Sequence, residues 1–436
     1  MPDYRVVVND CAAPPFTRLL QVRCGSGMGI THEYNYNRVA AGLPKVITAR
    51  QQDWADVLGA IYSIDLACKR GEGSDWYRTI DAWIPVRDPE LWNALTDQVS
   101  SVFSALTYDR LNVSFIAGTD MSDPPRQHTK AFPRTVDGVA LLSGGVDSLV
   151  GAAVLLAEGS KPLLLSHMNS PSASDAINKI APELSRRGAP AHPVTLTARK
   201  AQKDIAGENS QRARSLLYMG LGCLIAVGMG VQNVWLNENG VMAVHVPLTT
   251  ARSGSLSTRT ASPRLLTEFS KLASAALDAK VTVQNRLVAH TKPEVTIWGR
   301  DLDLTTLLTA TVSCWQVGRN PAHCGRCIPC LIRQVSHEYA RVPDRHYLSY
   351  PFDEIPPDSP WGPVARDNVF HLLTQAVELH QADEYDLMWD KPDLLDSGPG
   401  LTIEASVSMH KRWAAQVLEV ANAHAFSNAV LNGNSP

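Results

Sequence analysis

The sequence has no excess of positive charge. Its 436 residues include 40 lysines and arginines against 43 aspartates and glutamates, for a formal net charge of -3. Proteins that wrap nucleic acid usually present a strongly basic surface, so we expect no direct nucleic-acid binding. The opening residues, MPDYRVVVND, also lack the basic segment followed by an apolar core that marks a secretory signal.

Long hydrophobic runs are scarce as well. The most apolar stretch, Leu216–Val231, is about 16 residues long and is interrupted by glycines, whereas a membrane-spanning helix needs roughly 20 apolar residues. We therefore expect this stretch to form a buried helix. Together with the missing signal, it predicts a cytoplasmic protein with no membrane partner.

Cysteine is too rare for a disulfide scaffold. The chain has 8 cysteines, and four of them lie close together in SCWQVGRNPAHCGRCIPCLIR, as Cys314, Cys324, Cys327 and Cys330. This spacing lets four thiolates surround one ion, which predicts a structural zinc (Zn²⁺) site and leaves an iron–sulfur cluster as the alternative. Four thiolates leave no coordination position for catalysis, and His323 is expected to be a bystander.

The chain divides into three predicted regions. Residues 1–133 are expected to form an α+β domain, residues 134–345 an α/β domain, and residues 346–436 a mostly helical extension. The strand-like and helical patterns of the first region lie at 78–86, 110–118, Asp53–Lys69 and Glu90–Leu106. The Asp-, Pro- and Ser-rich residues 118–134 resemble a linker, and Val364–Leu379 and Ala405–Ala425 have helical spacing.

The central region alternates strand-like and helical segments, which predicts a doubly wound parallel sheet. The expected strands are 139–142, 161–168, 192–197 and 233–239, and the expected helices include Ala173–Arg187 and Arg214–Val227.

A glycine turn, SGGVDS, separates the first of these strands from an apolar helix. A strand, a glycine-rich turn and a helix start together place backbone N–H groups and the helix dipole on a phosphate. The turn is neither GxGxxG nor a Walker loop, because it lacks the lysine of the latter. Asp147 is expected to hold Mg²⁺ or to brace the loop. The alternative is an ordinary capped helix start. The predicted nucleotide-binding residues are Ser143, Gly144, Gly145, Val146, Asp147 and Ser148.

SGGVDS resembles the pyrophosphate loop, or PP-loop, of the N-type ATP pyrophosphatases. With the later cysteine motif it resembles the QueC family, the 7-cyano-7-deazaguanine synthases, over roughly residues 138–340. Arg333 matches the arginine that follows the last cysteine in that family. The resemblance implies an adenine nucleotide α-hydrolase-like fold that binds ATP and adenylates a carboxylate, such as that of 7-carboxy-7-deazaguanine.

The same resemblance suggests further site residues, and a purely structural role is the alternative for each. Arg214 would clamp phosphates or simply begin a buried helix. Ser166 and His167 would meet adenine or cap a turn. Lys292 would reach a phosphate or acyl oxygen or lie on the surface. No paired base accompanies the remaining cysteines, and no covalent protein nucleophile is required.

The segment 237–263 departs from the QueC pattern. Its hydroxyl and basic side chains suggest a binding site for a nucleobase or an anion, with an ordinary loop as the alternative. The candidate substrate-binding residues are Glu238, Asn239, Arg252, Ser257, Thr258 and Arg259, and Thr260 is a further donor.

With its two terminal additions, the chain resembles the longer QueC-like proteins of antiphage defence, such as QatC of the Qat system. This implies a protein partner, and either ammonia or a protein amine as acceptor. The aromatics Trp76, Tyr77 and Trp83 would contribute to a partner surface or to a small core. A tRNA-modifying enzyme and a nucleotide-binding scaffold are the alternative functions.

Overall fold

A computed structural model of the chain describes residues 2–12, 19–25, 28–71, 77–118, 131–167, 170–190, 193–201, 207–208, 212–248, 259–316, 322–353 and 362–433. Trp76, Arg252, Ser257 and Thr258, which the sequence analysis singled out, lie outside the described residues, as does most of the expected linker.

The described strands, in chain order, are β1 (Tyr4–Val8), β2 (Leu20–Val22), β3 (Cys24–Gly25), β4 (His32–Asn35), β5 (Thr79–Val86), β6 (Arg110–Ala117), β7 (Gly138–Leu142), β8 (Pro162–His167), β9 (Val194–Lys200), β10 (Asn233–Trp235) and β11 (Thr282–Gln284). They form two sheets, with the orders β2-β1-β5-β6 and β11-β10-β7-β8-β9-β4-β3.

The described α-helices are α1 (Asn37–Gly42), α2 (Ala49–Ala67), α3 (Pro89–Ala94), α4 (Thr96–Thr107), α5 (Val146–Ala157), α6 (Pro171–Arg186), α7 (Arg214–Met229), α8 (Gly240–Val244), α9 (Pro263–Leu277), α10 (Lys292–Asp301), α11 (Thr305–Ala310), α12 (Ile328–Tyr339), α13 (Gly362–Gln381), α14 (Glu384–Asp390), α15 (Ile403–Asn422) and α16 (Ala425–Leu431). A short 3-10 helix, Pro392–Leu395, follows α14.

The larger sheet is parallel from β11 to β9 and has helices on both faces. Successive residues of a strand point to opposite faces, and Leu141 and Leu165 accordingly pack in one core with α2, α7 and α9. Leu142 and Leu164 pack in the other core with α5, α6 and α10. The predicted doubly wound α/β arrangement is therefore present, and all five residues of β7 are buried at its centre.

The N-terminal sheet corrects the predicted α+β architecture, because its strand pairs are all parallel. One reason lies in the connection between β5 and β6, which runs through α3 and α4. A helical crossover returns the chain to the same end of the sheet, which produces parallel neighbours. This region is α/β.

The N-terminal region also extends the larger sheet. Strand β4 pairs antiparallel with β9, and β3 pairs with β4. Helix α2 is buried on nearly all sides, and Trp54 on this helix donates from Nε1 to the carbonyl of Gly220 on α7 at 2.8 Å. A helix that is buried on all its faces lies within a core, although α2 also carries buried polar residues such as Asp53 and Asp65. The division at residue 133 stays a prediction about domains, but the two regions share one hydrophobic core.

The C-terminal helices pack mainly around α13 and α15, with Leu372, Trp413 and Val417 in their core. That core also contains Leu331 and Val335 of α12, so the extension is joined to the helix that follows the cysteine motif. Within the described ranges, no helix is both long and apolar enough to cross a membrane.

Several predicted element boundaries differ from those observed, and two of the differences change an element. The expected helix Glu90–Leu106 is two helices, because Leu95 leaves helical geometry between α3 and α4 with ψ near 2°. The expected strand 233–239 ends at Trp235. Beyond it, the side chain of Asn239 accepts a hydrogen bond from the Met242 N–H and caps α8.

Candidate active site

The glycine turn joins the end of β7 to the start of α5. Gly144 has φ of 83°, a backbone conformation that glycine adopts freely. Ser148 Oγ donates to the carbonyl of Gly145 at 3.0 Å and accepts from the N–H of Ser143 at 3.2 Å. These bonds fix the turn without using the N–H groups of the first turn of α5, so they leave an anion site at the helix start.

Asp147, in that first turn, has two different carboxylate oxygens. Its Oδ2 accepts from Lys292 Nζ at 2.8 Å and from Asn239 Nδ2 at 3.0 Å. Its Oδ1 is buried and accepts no hydrogen bond from any described residue. A buried carboxylate oxygen is rarely left without a partner, and Mg²⁺ prefers oxygen ligands. Asp147 therefore fits the predicted role in holding a magnesium ion.

Lys292 lies at this site rather than on the outer surface. It begins α10, whose N-terminus is fixed by a capping box between Thr291 and Glu294. Its ion pair with Asp147 joins residues 145 positions apart in the chain. The lysine ammonium is thereby held beside the glycine turn.

A cavity of about 350 Å³ opens at the carboxyl ends of the central strands, where doubly wound sheets usually bind ligands. Nine predicted site residues line it: Ser143, Gly145, Val146, Asp147, Ser148, His167, Arg214, Glu238 and Lys292. Thr260, the further predicted donor, also lines it.

The other described candidates do not line this cavity. Gly144 supports the turn, and its carbonyl accepts from the Val312 N–H. Ser166 is fully buried, and Asn239 donates to Asp147 and accepts from the N–H of Met242, both of which line the cavity. Arg259 forms an ion pair with Asp393 in the C-terminal region.

His167 and Arg214 form one wall of the cavity with Tyr218. The His167 ring meets the edge of the Tyr218 ring at a centroid distance of 4.7 Å. Burial, and then the neighbouring Arg214 guanidinium, lower the pKa of His167 to about 2. The imidazole is therefore neutral, and it presents an uncharged aromatic surface beside a cationic side chain.

The start of α7, which carries Arg214, is held by the N-terminal region. Asp65 on α2 accepts from the Ala213 N–H at 2.9 Å. Arg212 donates from its guanidinium to the carbonyl of Thr107 at 3.1 Å. The predicted phosphate clamp thus depends on residues far ahead of the glycine turn in the sequence.

Glu238 lies shortly after β10 and lines the cavity together with Asp147 and Lys292. Burial, and then the Asp147 carboxylate, raise the pKa of Glu238 to about 7, while Lys292 opposes the shift. Its backbone is fixed by Asn285, which accepts from the Glu238 N–H and donates to the Glu238 carbonyl. A carboxyl with this pKa can gain or lose a proton near neutral pH.

The four cysteines of the motif converge as predicted. Their Sγ atoms all lie within 4.8 Å of one another and are buried. Two pairs, Cys324 with Cys330 and Cys314 with Cys327, are 3.9 Å apart, close to the roughly 3.8 Å spacing of a tetrahedral zinc–thiolate site. The cluster thus fits a zinc ion.

The segment around this cluster, which we call the cysteine knuckle (residues 312–316 and 322–333), also forms part of the cavity. Trp315 is 59% exposed and lines the cavity together with Ser313, Pro329 and Ile332. The sequence analysis did not assign these residues to the site. The aromatic residue directly after the first cysteine is a sequence feature that could have indicated this wall.

Arg333 supports the knuckle from behind. Its fully buried guanidinium forms an ion pair with Asp344 at 2.7 Å and donates to Thr311 Oγ1 at 2.7 Å. It also donates to the carbonyl of Leu308 at 2.8 Å. These contacts tie α12 to the chain that leads into Ser313, and His323 is not among the clustered ligands.

Comparison with known proteins agrees with this geometry. Residues 256–341 match the family model described as "Queuosine biosynthesis protein QueC". Over 235 residues, 47% of this chain and 93% of its relative, the sequence is 25% identical to a 7-cyano-7-deazaguanine synthase from Hydrogenovibrio crunogenus. This part of the chain is QueC-like. About half of the chain lies outside the QueC-like alignment.

Proposed function

We propose that the protein is an ATP-dependent enzyme that adenylates a carboxylate, releases pyrophosphate and joins the acyl group to an amine. One observation carries this proposal: a single cavity is lined by the glycine turn, by Asp147, whose Oδ1 has no hydrogen-bond partner among the described residues, and by the exposed ring of Trp315. The QueC-like sequence favours ATP as nucleotide and a 7-carboxy-7-deazaguanine type of nucleobase as the acid.

In the first step, a carboxylate oxygen of the substrate forms a bond to the α-phosphorus of ATP. The bond from that phosphorus to the bridging oxygen breaks, and its electron pair leaves with pyrophosphate. The N–H groups at the start of α5, Arg214 and Lys292 would stabilise the charge that develops on the leaving group. All three lie on the cavity wall.

Asp147 would hold the magnesium ion through Oδ1, while Lys292 and Asn239 fix the other oxygen. A magnesium ion, when bound, neutralises negative charge on the phosphates. The zinc ion would hold the knuckle together, so that Trp315 can stack against the flat ring of the acid. Zinc thus has a structural role in this proposal.

In the second step, the amine nitrogen forms a bond to the acyl carbon, and the bond from that carbon to the AMP oxygen breaks. AMP leaves with the electron pair, and the nitrogen loses a proton. Glu238 is suited to accept this proton because its pKa is raised to about 7. The product is an amide.

Two acceptors lead to two biological roles. The matched relative is named as a 7-cyano-7-deazaguanine synthase, which favours ammonia; a second activation of the amide oxygen would then give the nitrile, a housekeeping product. The residues outside the QueC-like alignment favour a protein amine. We propose the latter, with the acceptor on a partner protein of an antiphage system of the Qat type.

The test uses Asp147→Asn with Asp137→Asn as its matched control. Asp137 is exposed and lies directly before β7, at the end of that strand opposite the glycine turn. It accepts a hydrogen bond from the Lys161 N–H. We expect Asp147→Asn to lower carboxylate-dependent pyrophosphate release by about 100- to 1,000-fold, as loss of a group that stabilises charge in the transition state does. The control should keep the wild-type rate. Unchanged release in Asp147→Asn would remove the proposal, and no release by the wild type would leave a nucleotide-binding scaffold.

The acceptor is tested separately by intact mass. Enzyme, ATP and 7-carboxy-7-deazaguanine are incubated either with ammonia or with proteins encoded beside this chain. A partner that gains the mass of the acyl group supports the conjugating role. Formation of the nitrile with ammonia, and no modified protein, would show the housekeeping reaction instead.

A further inference from the structure

Helix α14 exposes two large aromatic side chains on one face. Tyr385 is 82% exposed and Trp389 is 87% exposed, and residues four apart on a helix are neighbours. Leu387, which points to the other side, is buried in the C-terminal core. The N-terminus of α14 is capped by Asp383, which accepts from the N–H groups of Tyr385 and Asp386. The helix is thus held in place while its aromatic face stays open.

The surroundings of this pair are acidic. Between residues 383 and 396 the chain has six acidic residues and one basic residue, Lys391. That lysine is paired with Glu378 at 3.0 Å. The exposed residues Asp383, Glu384, Asp386 and Asp390 lie on the same short helix or at its cap. We call these four acids with Tyr385 and Trp389 the aromatic–acidic patch.

The charge of this patch selects the partner. Aromatic faces attract ammonium and guanidinium groups, and carboxylates add charge-assisted hydrogen bonds to the same groups. Nucleic acids and anionic membrane surfaces would be repelled by the same carboxylates. An exposed aromatic pair of this kind is typical of a protein interface. A protein segment that carries lysine or arginine therefore fits the patch.

The patch lies beside the chain that reaches the active-site cavity. Asp393, in the 3-10 helix that contacts α14, forms an ion pair with Arg259. Asp396 accepts from the Arg264 N–H at 3.2 Å. Between these two arginines, Thr260 lines the cavity. A segment bound to the patch would therefore lie close to the segment that borders the reaction site.

We propose that the aromatic–acidic patch docks a basic, lysine- or arginine-bearing segment of a partner protein. That this partner also supplies the acceptor amine rests on the proposed function. In this proposal Tyr385 and Trp389 bind the partner segment. The acidic C-terminal region would then hold the partner near the active-site cavity.

The test measures binding of a fluorescein-labelled peptide of alternating lysine, serine and arginine at about 0.15 M salt, where long-range attraction is screened. A peptide with glutamate at the charged positions is the control probe. We expect wild-type protein to bind the basic peptide and not the acidic one. The double variant Tyr385→Ser with Trp389→Ser should bind roughly tenfold more weakly, since exposed aromatic anchors dominate such contacts. Reversing Asp386 and Asp390 to lysine should abolish binding.

Two control variants keep the result specific. Phe370→Ser removes another exposed aromatic, on α13, and the pair Glu90→Lys with Asp97→Lys makes the same charge change on the exposed N-terminal helices. Both should bind the peptide as the wild type does. Equal binding by the patch variants, or equal loss in the controls, would overturn the docking site.

Activity with ammonia separates this proposal from the proposed function. The Tyr385→Ser, Trp389→Ser variant should release AMP at the wild-type rate when ammonia is the acceptor, because neither side chain lines the cavity. If neither protein makes AMP, the proposed function fails, while peptide binding still decides the docking site. A fall in AMP release confined to this variant would contradict a pure docking role.

Discussion

Two buried acidic centres in this molecule differ in how their oxygens are used. In the N-terminal region, Asp65 and Asp109 lie between Arg70 and Arg78, and all four carboxylate oxygens accept hydrogen bonds. At the glycine turn, Asp147 leaves one buried oxygen without a described partner. Because a buried charge needs a partner, the carboxylates of the first centre are fully satisfied, and we propose that the second carboxylate is prepared for a ligand.

This comparison assigns different roles to similar residues. The Asp65–Asp109 pair with its two arginines, which we call the arginine–aspartate network, joins β5, β6 and α2 and reaches the start of α7 through Ala213. Burial raises the pKa of Asp109, but hydrogen bonds from Arg78 and Arg70 outweigh this effect, and the pKa is lowered. The network therefore stabilises the fold, whereas we propose that Asp147 with Lys292 serves chemistry.

The largest expected effect is the loss of stability after a substitution in the cysteine knuckle. Its clustered thiols are arranged to hold a cation, as we propose for Asp147 Oδ1. Cys330→Ser should lose zinc and unfold the knuckle, because structural zinc contributes on the order of 10 kcal/mol in small domains. Metal analysis and thermal unfolding measure this, with Cys11→Ser as the control outside the cluster. Retention of one zinc per chain, or iron with sulfide, would contradict the zinc assignment.

The next effect separates the two acidic centres directly. Asp109→Asn leaves two buried guanidinium groups short of charge and should lower the free energy of unfolding by about 3–5 kcal/mol. Asp147→Asn, which weakens only one ion pair, should lower it much less. The matched control is Asp81→Asn on β5, whose half-buried carboxylate accepts from Asn112. Urea unfolding gives these values, and equal losses for Asp109 and Asp147 would break the comparison.

Local patterns were enough to predict some of the site, and long-range contacts were needed for the rest. The strand, turn and helix around Ser143–Ser148 follow from adjacent residues, and so do the clustered cysteines. Both a site role and a surface position were predicted for Lys292, because its partner Asp147 is 145 residues away in the chain. Trp315 was missed because its place in the cavity depends on how the knuckle packs.

The N-terminal region shows the same limit at the level of the fold. Its strands and helices are visible as patterns, but whether strands pair in parallel depends on how the helices cross between them. Arg259 was assigned to substrate on its chemistry, and only the fold brings Asp393 to it.

A smaller effect is expected at the aromatic wall. Trp315→Ala should raise the KM for the nucleobase acid, since stacking of a base on an aromatic side chain is worth about 1–3 kcal/mol. The KM for ATP and the zinc content should stay unchanged, and Trp315→Phe should restore most of the affinity. Steady-state kinetics decide this. An equal rise in both KM values would indicate a collapse of the cavity rather than a lost stacking contact.

The smallest effect concerns pH. The pKa of Glu238 is raised to about 7, so the folded protein holds a proton that the unfolded chain has released above about pH 4.5. Stability should therefore fall as pH rises from about 4.5 to 7. Glu238→Gln should remove this fall and raise the Tm more at pH 8 than at pH 5, without ATP or magnesium.

Glu294→Gln provides the opposite control for the pH experiment. Burial raises the pKa of Glu294, but the hydrogen bond from Arg412 outweighs this effect, and the pKa is lowered. The contribution of the Glu294 carboxylate to stability is therefore lost as pH falls. Its Tm difference from the wild type should be larger at pH 8 than at low pH, with a loss rather than a gain. The same sign for both variants would show that Glu238 is not held near neutrality by its surroundings.

The most direct test of the account follows an oxygen atom. The enzyme is incubated with ATP, an amine and 7-carboxy-7-deazaguanine labelled with oxygen-18 in its carboxyl group, and the AMP is analysed by mass spectrometry. If the carboxylate attacks the α-phosphorus at the Asp147 site, each AMP carries an oxygen-18 atom, and Asp147→Asn makes little of it. Formation of ADP, or of AMP without the label, would contradict acyl adenylation as the function of this cavity.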